Sequence, residues 1–219
     1  MSLSLAVVVC AMAVQAFAAE DPVKIDNDQA RVLVVSSAPG VKSAMHEHKM
    51  NRVMIYLDAG TMTLTDPKGK VQTLNFKAGE ALWSPAGGLH TSLNVSGQPV
   101  RIVEVELKST PGSTSTAQEP ELDWAKVDPK HCKVEMENDQ VRVIRARYGP
   151  HEKGVMHEHS LNFVVTFLTA GAMKVTPPNG ESRTVTKMRG DVTWGGPAKH
   201  IEEYLNEEPL ELVVVEFKK

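Results

Sequence analysis

Met45-His46-Glu47-His48 returns letter for letter as Met156-His157-Glu158-His159, and Asn27-Asp28-Gln29-Ala30-Arg31-Val32 returns as Asn138-Asp139-Gln140-Val141-Arg142-Val143 with a single change. The two displacements agree, since 157 less 46 and 138 less 27 both give 111. One unit of roughly a hundred residues therefore occurs twice, each copy large enough to bury its own core. Working outward, the expected layout is a leader over 1–19, a first domain over 20–108, a linker over 109–128 and a second domain over 129–219.

A hydrophobic share of 42% beside a charged share of 23% is ordinary for a globular protein. The net charge of −3, with lysines and arginines scattered among acids, gives no basic stripe for nucleic acid. Residues 1–19 carry no charged side chain, and an apolar run ends in Ala16-Phe17-Ala18. This reads as a secretory signal peptide cut after Ala18 or Ala19, although it lacks a basic n-region; an uncleaved anchor is the alternative. A periplasmic or secreted protein is expected, off the membrane once cleaved. Of the two cysteines, Cys10 falls in the leader, so Cys132 has no internal disulfide partner and is expected to be a small buried apolar residue.

Neither half holds an apolar 3.6-residue period for long. Both are built of short β-branched runs broken by Gly, Pro, Asn and Asp. Strands are expected over 31–36, 52–57, 61–66, 71–76, 81–84, 91–95 and 100–108, and over 142–147, 163–168, 172–176, 182–187, 191–194 and 210–218. Asp66-Pro67-Lys68-Gly69 and Pro177-Pro178-Asn179-Gly180 are turn sequences. The fold class is thus all-β, a sandwich or barrel in each half. The Ser, Thr, Pro and Gly content from 109 marks the linker, with Trp124 at its end expected on a domain surface.

Residues two apart on a strand share a face, so His46 and His48 aim at one point while Glu47 faces away, and His157 and His159 do the same around Glu158. Neutral imidazoles suit Fe, Mn, Ni, Cu or Zn. Gly40 stands six residues before His46, and Gly79-x5-Pro85-x-Gly87-x2-His90-x3-Asn94 follows downstream. In these residues the chain resembles the cupin family, whose second motif is matched at every position. The resemblance spans nearly all of both halves and implies a bicupin, two tandem jelly-roll barrels. It implies a divalent transition metal held by His46, His48 and His90 in the first barrel and by His157, His159 and His200 in the second. It also implies a small-molecule substrate or ligand. Tandem barrels can reproduce within one chain the pairing that single-barrel cupins achieve by dimerising, and a homodimer stays open.

The departures are specific. Where the family motif carries a glutamate ligand, the chain has Arg52 or Val53, and Phe163 or Val164 in the second half. The second copy is also a residue shorter between Gly195 and His200 than the first between Ser84 and His90, and Tyr204 stands in place of Asn94. Glu202 lies two residues beyond His200, on its strand face, so it or neighbouring Glu203 is a candidate for the missing carboxylate; an exposed acid at a strand edge is the commoner case. Arg52 has the parity to point inward and hold a substrate carboxylate by bidentate hydrogen bonds, with a solvated arginine as the competing expectation. Met45, Met50, Met54, Met156 and Met173 are expected to fill core gaps rather than bind copper. Trp83 and Trp194 are expected in the core or at a rim, and His131 and His151 at the surface. Functionally the residues point to a metal-dependent dioxygenase-like or isomerase-like enzyme acting on a small oxygenated molecule. The alternative is a non-catalytic binding module for a sugar or organic acid.

Overall fold

A computed structural model describes residues 22–108 and 120–218. The expected leader and residues 109–119 of the expected linker lie outside the described residues. The N-terminal half runs β1 Val23–Asp26, β2 Ala30–Ser37, β3 His46–His48, β4 Arg52–Tyr56, β5 Gly60–Thr65, β6 Val71–Phe76, β7 Ala81–Ser84, β8 Gly87–Asn94 and β9 Val100–Leu107. After helix α1 Trp124–Val127, the C-terminal half runs β10 Cys132–Glu137, β11 Val141–Tyr148, β12 His157–His159, β13 Phe163–Phe167, β14 Gly171–Thr176, β15 Arg183–Lys187, β16 Val192–Gly195, β17 Ala198–Tyr204 and β18 Leu210–Phe217.

Each half is a two-sheet jelly roll. Sheets ordered β1-β2-β9-β4-β7 and β3-β8-β5-β6 form the first barrel, and β10-β11-β18-β13-β16 and β12-β17-β14-β15 the second. The two five-stranded sheets pack against each other, which explains the composition of their strands. Inward-facing Met54 and Tyr56 join Met62, Phe76, Val100 and Ile102 in the first barrel's core. Alternate residues Val53, Ile55, Val103, Val105 and Leu107 face the other way, into a second core shared with Val141, Val143, Val164, Val213, Val215 and Phe217. Strands buried on both faces read as continuous apolar runs rather than alternation. Each such fully buried side chain contributes about 1.5–3 kcal/mol, so the shared core joins the barrels firmly.

The 111-residue repeat reappears in this junction as a pseudo-twofold. Asn51 donates to Gln140 and Asn162 donates to Gln29, both at 2.6 Å, and 162 less 51 and 140 less 29 again give 111. The same surface patch is used from both sides, as in a symmetric dimer. Trp83 and Trp194, as expected, pack against this shared core. Arg101 and Arg189 close its edge on Asp58, at 3.0 Å each.

Some expectations need correction. Residues 120–128 are not linker. Asp123 caps α1 by accepting from the Lys126 amide, Glu158 N–H donates to Leu122 O at 2.9 Å, and Asp123 bridges to Glu158. The segment is thus a strap across β12. Trp124 is accordingly only 2% exposed rather than on the surface. His131 is half-buried rather than on the surface, bonded between Asp128 (2.6 Å) and Glu152 (3.2 Å) and stacked on Tyr148; His151 is exposed as expected. Met54 and Met173 are core residues, whereas Met45 is exposed. Cys132 is buried, and burial pushes its thiol well above the usual range, so it is an inert apolar residue.

The one-residue difference between the copies is a β-bulge. His46 pairs with His90 but His48 with Gly87, a register shift. It is turned by Gly87 (φ 111°) and Gly88 (φ 75°), a conformation that residues with a Cβ rarely adopt. In the shorter second copy the pairing His157–His200, Glu158–Lys199, His159–Ala198 is regular. The motif's Asn94 is fully buried, donating to Ser37 O and Gln98 O and accepting from the Ser96 amide. Its counterpart Tyr204 instead stacks on Tyr148 in the second core.

Candidate metal centres

Strand pairing brings each histidine triplet together. His46 and His90 face each other across β3 and β8, and His48 follows on the same face. The ring centroids of His46, His48 and His90 lie 4.6–5.4 Å apart. Those of His157, His159 and His200 lie 4.6–5.5 Å apart. In both sets one ring nitrogen from each histidine falls within 4.8 Å of the others, the spacing of ligands arranged around one ion. The outer nitrogens are tied down: His46 Nδ1 to Ala44 O at 2.9 Å and His157 Nδ1 to Val155 O at 3.1 Å. A backbone carbonyl there fixes the proton on Nδ1 and leaves Nε2 free for a cation.

The two sites differ in their surroundings, and the C-terminal strands of the sheets decide how. In the first barrel Arg52 points inward, only 7% exposed. It donates to Glu104 at 2.9 Å and to Ser84 Oγ at 3.3 Å, and reaches His48 Nδ1. Glu106 lies one inward position further along β9, 3.1 Å from Arg31. In the second barrel Phe163 takes the place of Arg52, because Arg52 pairs with Glu106 on β9 as Phe163 pairs with Glu216 on β18. Val214 takes the place of Glu104, since Met54 pairs with Glu104 as Val165 pairs with Val214. An Arg–Glu ion pair beside one site is thus replaced beside the other by Phe163 and Val214, two members of the second barrel's apolar core.

The retained acid, Glu216, accepts from His159 Nδ1 at 3.0 Å and is held by Arg142 at 3.5 Å. Glu202 also turns inward, 7% exposed, with Oε1 2.7 Å from His200 Nε2 and Oε2 3.7 Å from His157 Nε2. Its exposure at a strand edge was the commoner expectation; the structure puts it inside. Glu203 faces away, 3.9 Å from Lys174, and takes no part. Trp124 stacks on His157 with centroids 4.5 Å apart. The second triplet is therefore the more enclosed, with His157 at 0% and His159 at 2% exposure and only His200 partly open, whereas all three histidines of the first are partly open to solvent.

Electrostatics follow from these contacts. Burial, then Arg52 and the neighbouring histidines, holds the His48 pKa down at about 3. Burial lowers His157 to about 4, against an opposing pull from Glu202. Burial raises the Glu104 carboxyl, only partly offset by Arg52. For Glu202 burial acts upward, but the hydrogen bond from His200 and the surrounding histidines prevail and lower it. Neutral imidazoles are the form that ligates metal.

Both donor sets fit a divalent transition ion, and in the second barrel buried His157 Nε2 and Glu202 Oε2 have no hydrogen-bond partner at all. Sequence reasoning missed Glu104, Glu106 and Glu216. The signal for Glu104 and Glu106 was present in Val100-Arg-Ile-Val-Glu-Val-Glu-Leu107, where the two acids share the inward parity of Val100 and Ile102.

The fold and the paired three-histidine clusters define a bicupin, and the chain belongs to the cupin superfamily. No family model matches it. Beta-alanine degradation protein BauB of Pseudomonas aeruginosa is 34% identical over 86 residues, 39% of this chain and 90% of that protein. AerE from Microcystis aeruginosa superposes over 90% of this chain and 95% of its own, with a TM-score of 0.62 and 11% identity. Oxalate decarboxylase of Bacillus subtilis superposes over 88% of this chain and 69% of its own, with a TM-score of 0.60 and 14% identity. At such identities the last two relate the fold alone.

Proposed function

We propose that this chain is an exported, metal-dependent cupin enzyme whose working site is the N-terminal barrel, and that its substrate is a small carboxylate-bearing molecule. The observation that carries the reading is the pairing of a partly open three-histidine cluster with an inward arginine at the place where cupins carry a glutamate ligand. His46, His48 and His90 would hold a divalent ion, which would supply Lewis acidity to a bound ligand. Arg52 then contributes a planar guanidinium for a carboxylate, already oriented by Glu104 and Ser84. The neutral donor set leaves an ion's charge uncompensated by protein, which favours an anionic ligand. Glu104 keeps Arg52 in place by accepting its hydrogen bond at 2.9 Å.

The relatives support the choice of ligand class and metal. One is named for the degradation of β-alanine, a small carboxylate, and another for oxalate, with Mn(II) centres described in it. Manganese is therefore the first metal to test. The experiment is metal analysis of tag-free protein, followed by calorimetric titration with β-alanine, oxalate and malonate. Near-stoichiometric metal at the N-terminal site, and carboxylate binding lost in both His46→Ala and Arg52→Gln, support the reading. A folded protein whose carboxylate binding survives Arg52→Gln contradicts it. N-terminal sequencing of secreted material, starting at residue 19 or 20, tests export.

A further inference from the structure

We propose that the C-terminal barrel holds a closed four-ligand metal site in which Glu202 joins His157, His159 and His200, and that the ion there is structural rather than catalytic. The carboxylate that Phe163 cannot supply from the start of β13 comes instead from β17, two residues beyond the third histidine. The inference stands apart from the reading of the N-terminal site.

Four observations converge on it. Glu202 and His157 are buried, and their facing atoms, Oε2 and Nε2, lie 3.7 Å apart without a hydrogen-bond partner. Orphaned buried polar atoms are costly unless something binds between them. No lysine or arginine pairs with Glu202 among the described residues; its neighbours are His200 and His157. His159 is oriented by a carboxylate on its outer nitrogen, Glu216, which Arg142 in turn holds; carboxylate-backed histidines are the usual support of metal ligands. Finally, the strap carrying Trp124 covers the cluster, and Phe163 closes its other side with its ring 4.4 Å from His159. Three nitrogens and one carboxylate, all but His200 buried, fit a four-coordinate structural ion of the zinc type, which needs no open position.

The test uses the full chain carrying His46→Ala and His90→Ala, which removes the first site. After dialysis against a chelator the protein is loaded with Co(II), and uptake is followed by metal analysis, by the Co(II) visible spectrum and by quenching of Trp124 fluorescence. The expected result is one ion per chain with a tetrahedral spectrum, a higher unfolding midpoint when loaded, and affinity lower by about tenfold or more in Glu202→Gln. Trp124→Ala is expected to speed loss of the ion to chelator. Unchanged affinity and spectrum in Glu202→Gln, with circular dichroism intact, would overturn the assignment of Glu202 as a ligand. Failure of the folded background variant to take up any ion would overturn the site itself. Equally fast ion loss with and without Trp124 would overturn its closure.

Discussion

Exchanging the polar pair beside the first site for its counterpart in the second is the sharpest perturbation the duplication offers. Arg52 and Glu104 are 2.9 Å apart with side-chain exposures of 9% and 13%, and Phe163 and Val214 occupy the matching positions. Arg52→Phe alone leaves Glu104 buried and unpaired, and Glu104→Val alone strands a buried guanidinium beside His48. Breaking a buried pair from one side costs about 3–5 kcal/mol, whereas replacing both partners with apolar residues is often neutral or stabilising. In a chain of this size each kcal/mol moves the unfolding midpoint by about 2–4 °C. Each single variant should therefore melt roughly 6–20 °C lower, while the double variant should melt within about 3 °C of the parent, a coupling of at least about 3 kcal/mol. Differential scanning calorimetry on all four proteins closes the cycle. A double variant as unstable as the two singles combined would refute the account of why the barrels differ here. The double variant should also lose carboxylate binding while keeping its fold.

Three further outcomes follow from other parts of the molecule. Leu57→Ala, at a fully buried position in the core shared by the barrels, should cost about 2–5 kcal/mol, and calorimetry should show both barrels melting earlier together; a shift confined to one barrel would contradict a common core. The Asp58 carboxyl, raised by burial but more strongly lowered by hydrogen bonds from Arg101 and Arg189, titrates at about 2 in the folded protein. Its ion pairs therefore stabilise above the ordinary value near 4 and are lost as pH falls from there toward 2, an effect of about 1–2 kcal/mol after allowing for its partial exposure. Asp58→Asn should flatten the stability profile in that window alone, as read by urea denaturation at stepped pH. Thirdly, Glu203→Gln should leave metal content and affinity unchanged, because Glu203 faces Lys174 outside the second cluster; reduced uptake would place it in the site after all.

Much of this was legible in the chain itself. A displacement of 111 held through two motifs marks a duplication, and period-two parity sufficed to put His46 with His48 and His157 with His159 on inward faces. Strands such as Val71–Phe76 and Ala81–Ser84 are bounded as their β-branched runs and turn residues suggest. Cys-Lys-Val-Glu-Met-Glu of β10 alternates apolar and charged residues at every step, a period-two signal that was there to be read, and it pairs along β11. What stayed hidden depends on which surfaces meet. Trp124 sits in a polar segment, and nothing local shows that this segment crosses β12. Glu202 shares a face with His200 by parity, but whether that face is open or sealed depends on Trp124 and Phe163, which are distant in sequence. The apparent deletion before His200 is intelligible only as a bulge present in one copy and absent from the other.

The central claim is that the two duplicated histidine clusters are unequal metal centres, one open and one closed. Anomalous diffraction at the absorption edge of the bound metal, on crystals of tag-free protein soaked briefly in chelator, tests it most directly. The account predicts a peak that persists among His157, His159, His200 and Glu202 while the peak among His46, His48 and His90 fades. Loss of both peaks in parallel, or a C-terminal peak lying away from Glu202, would contradict it.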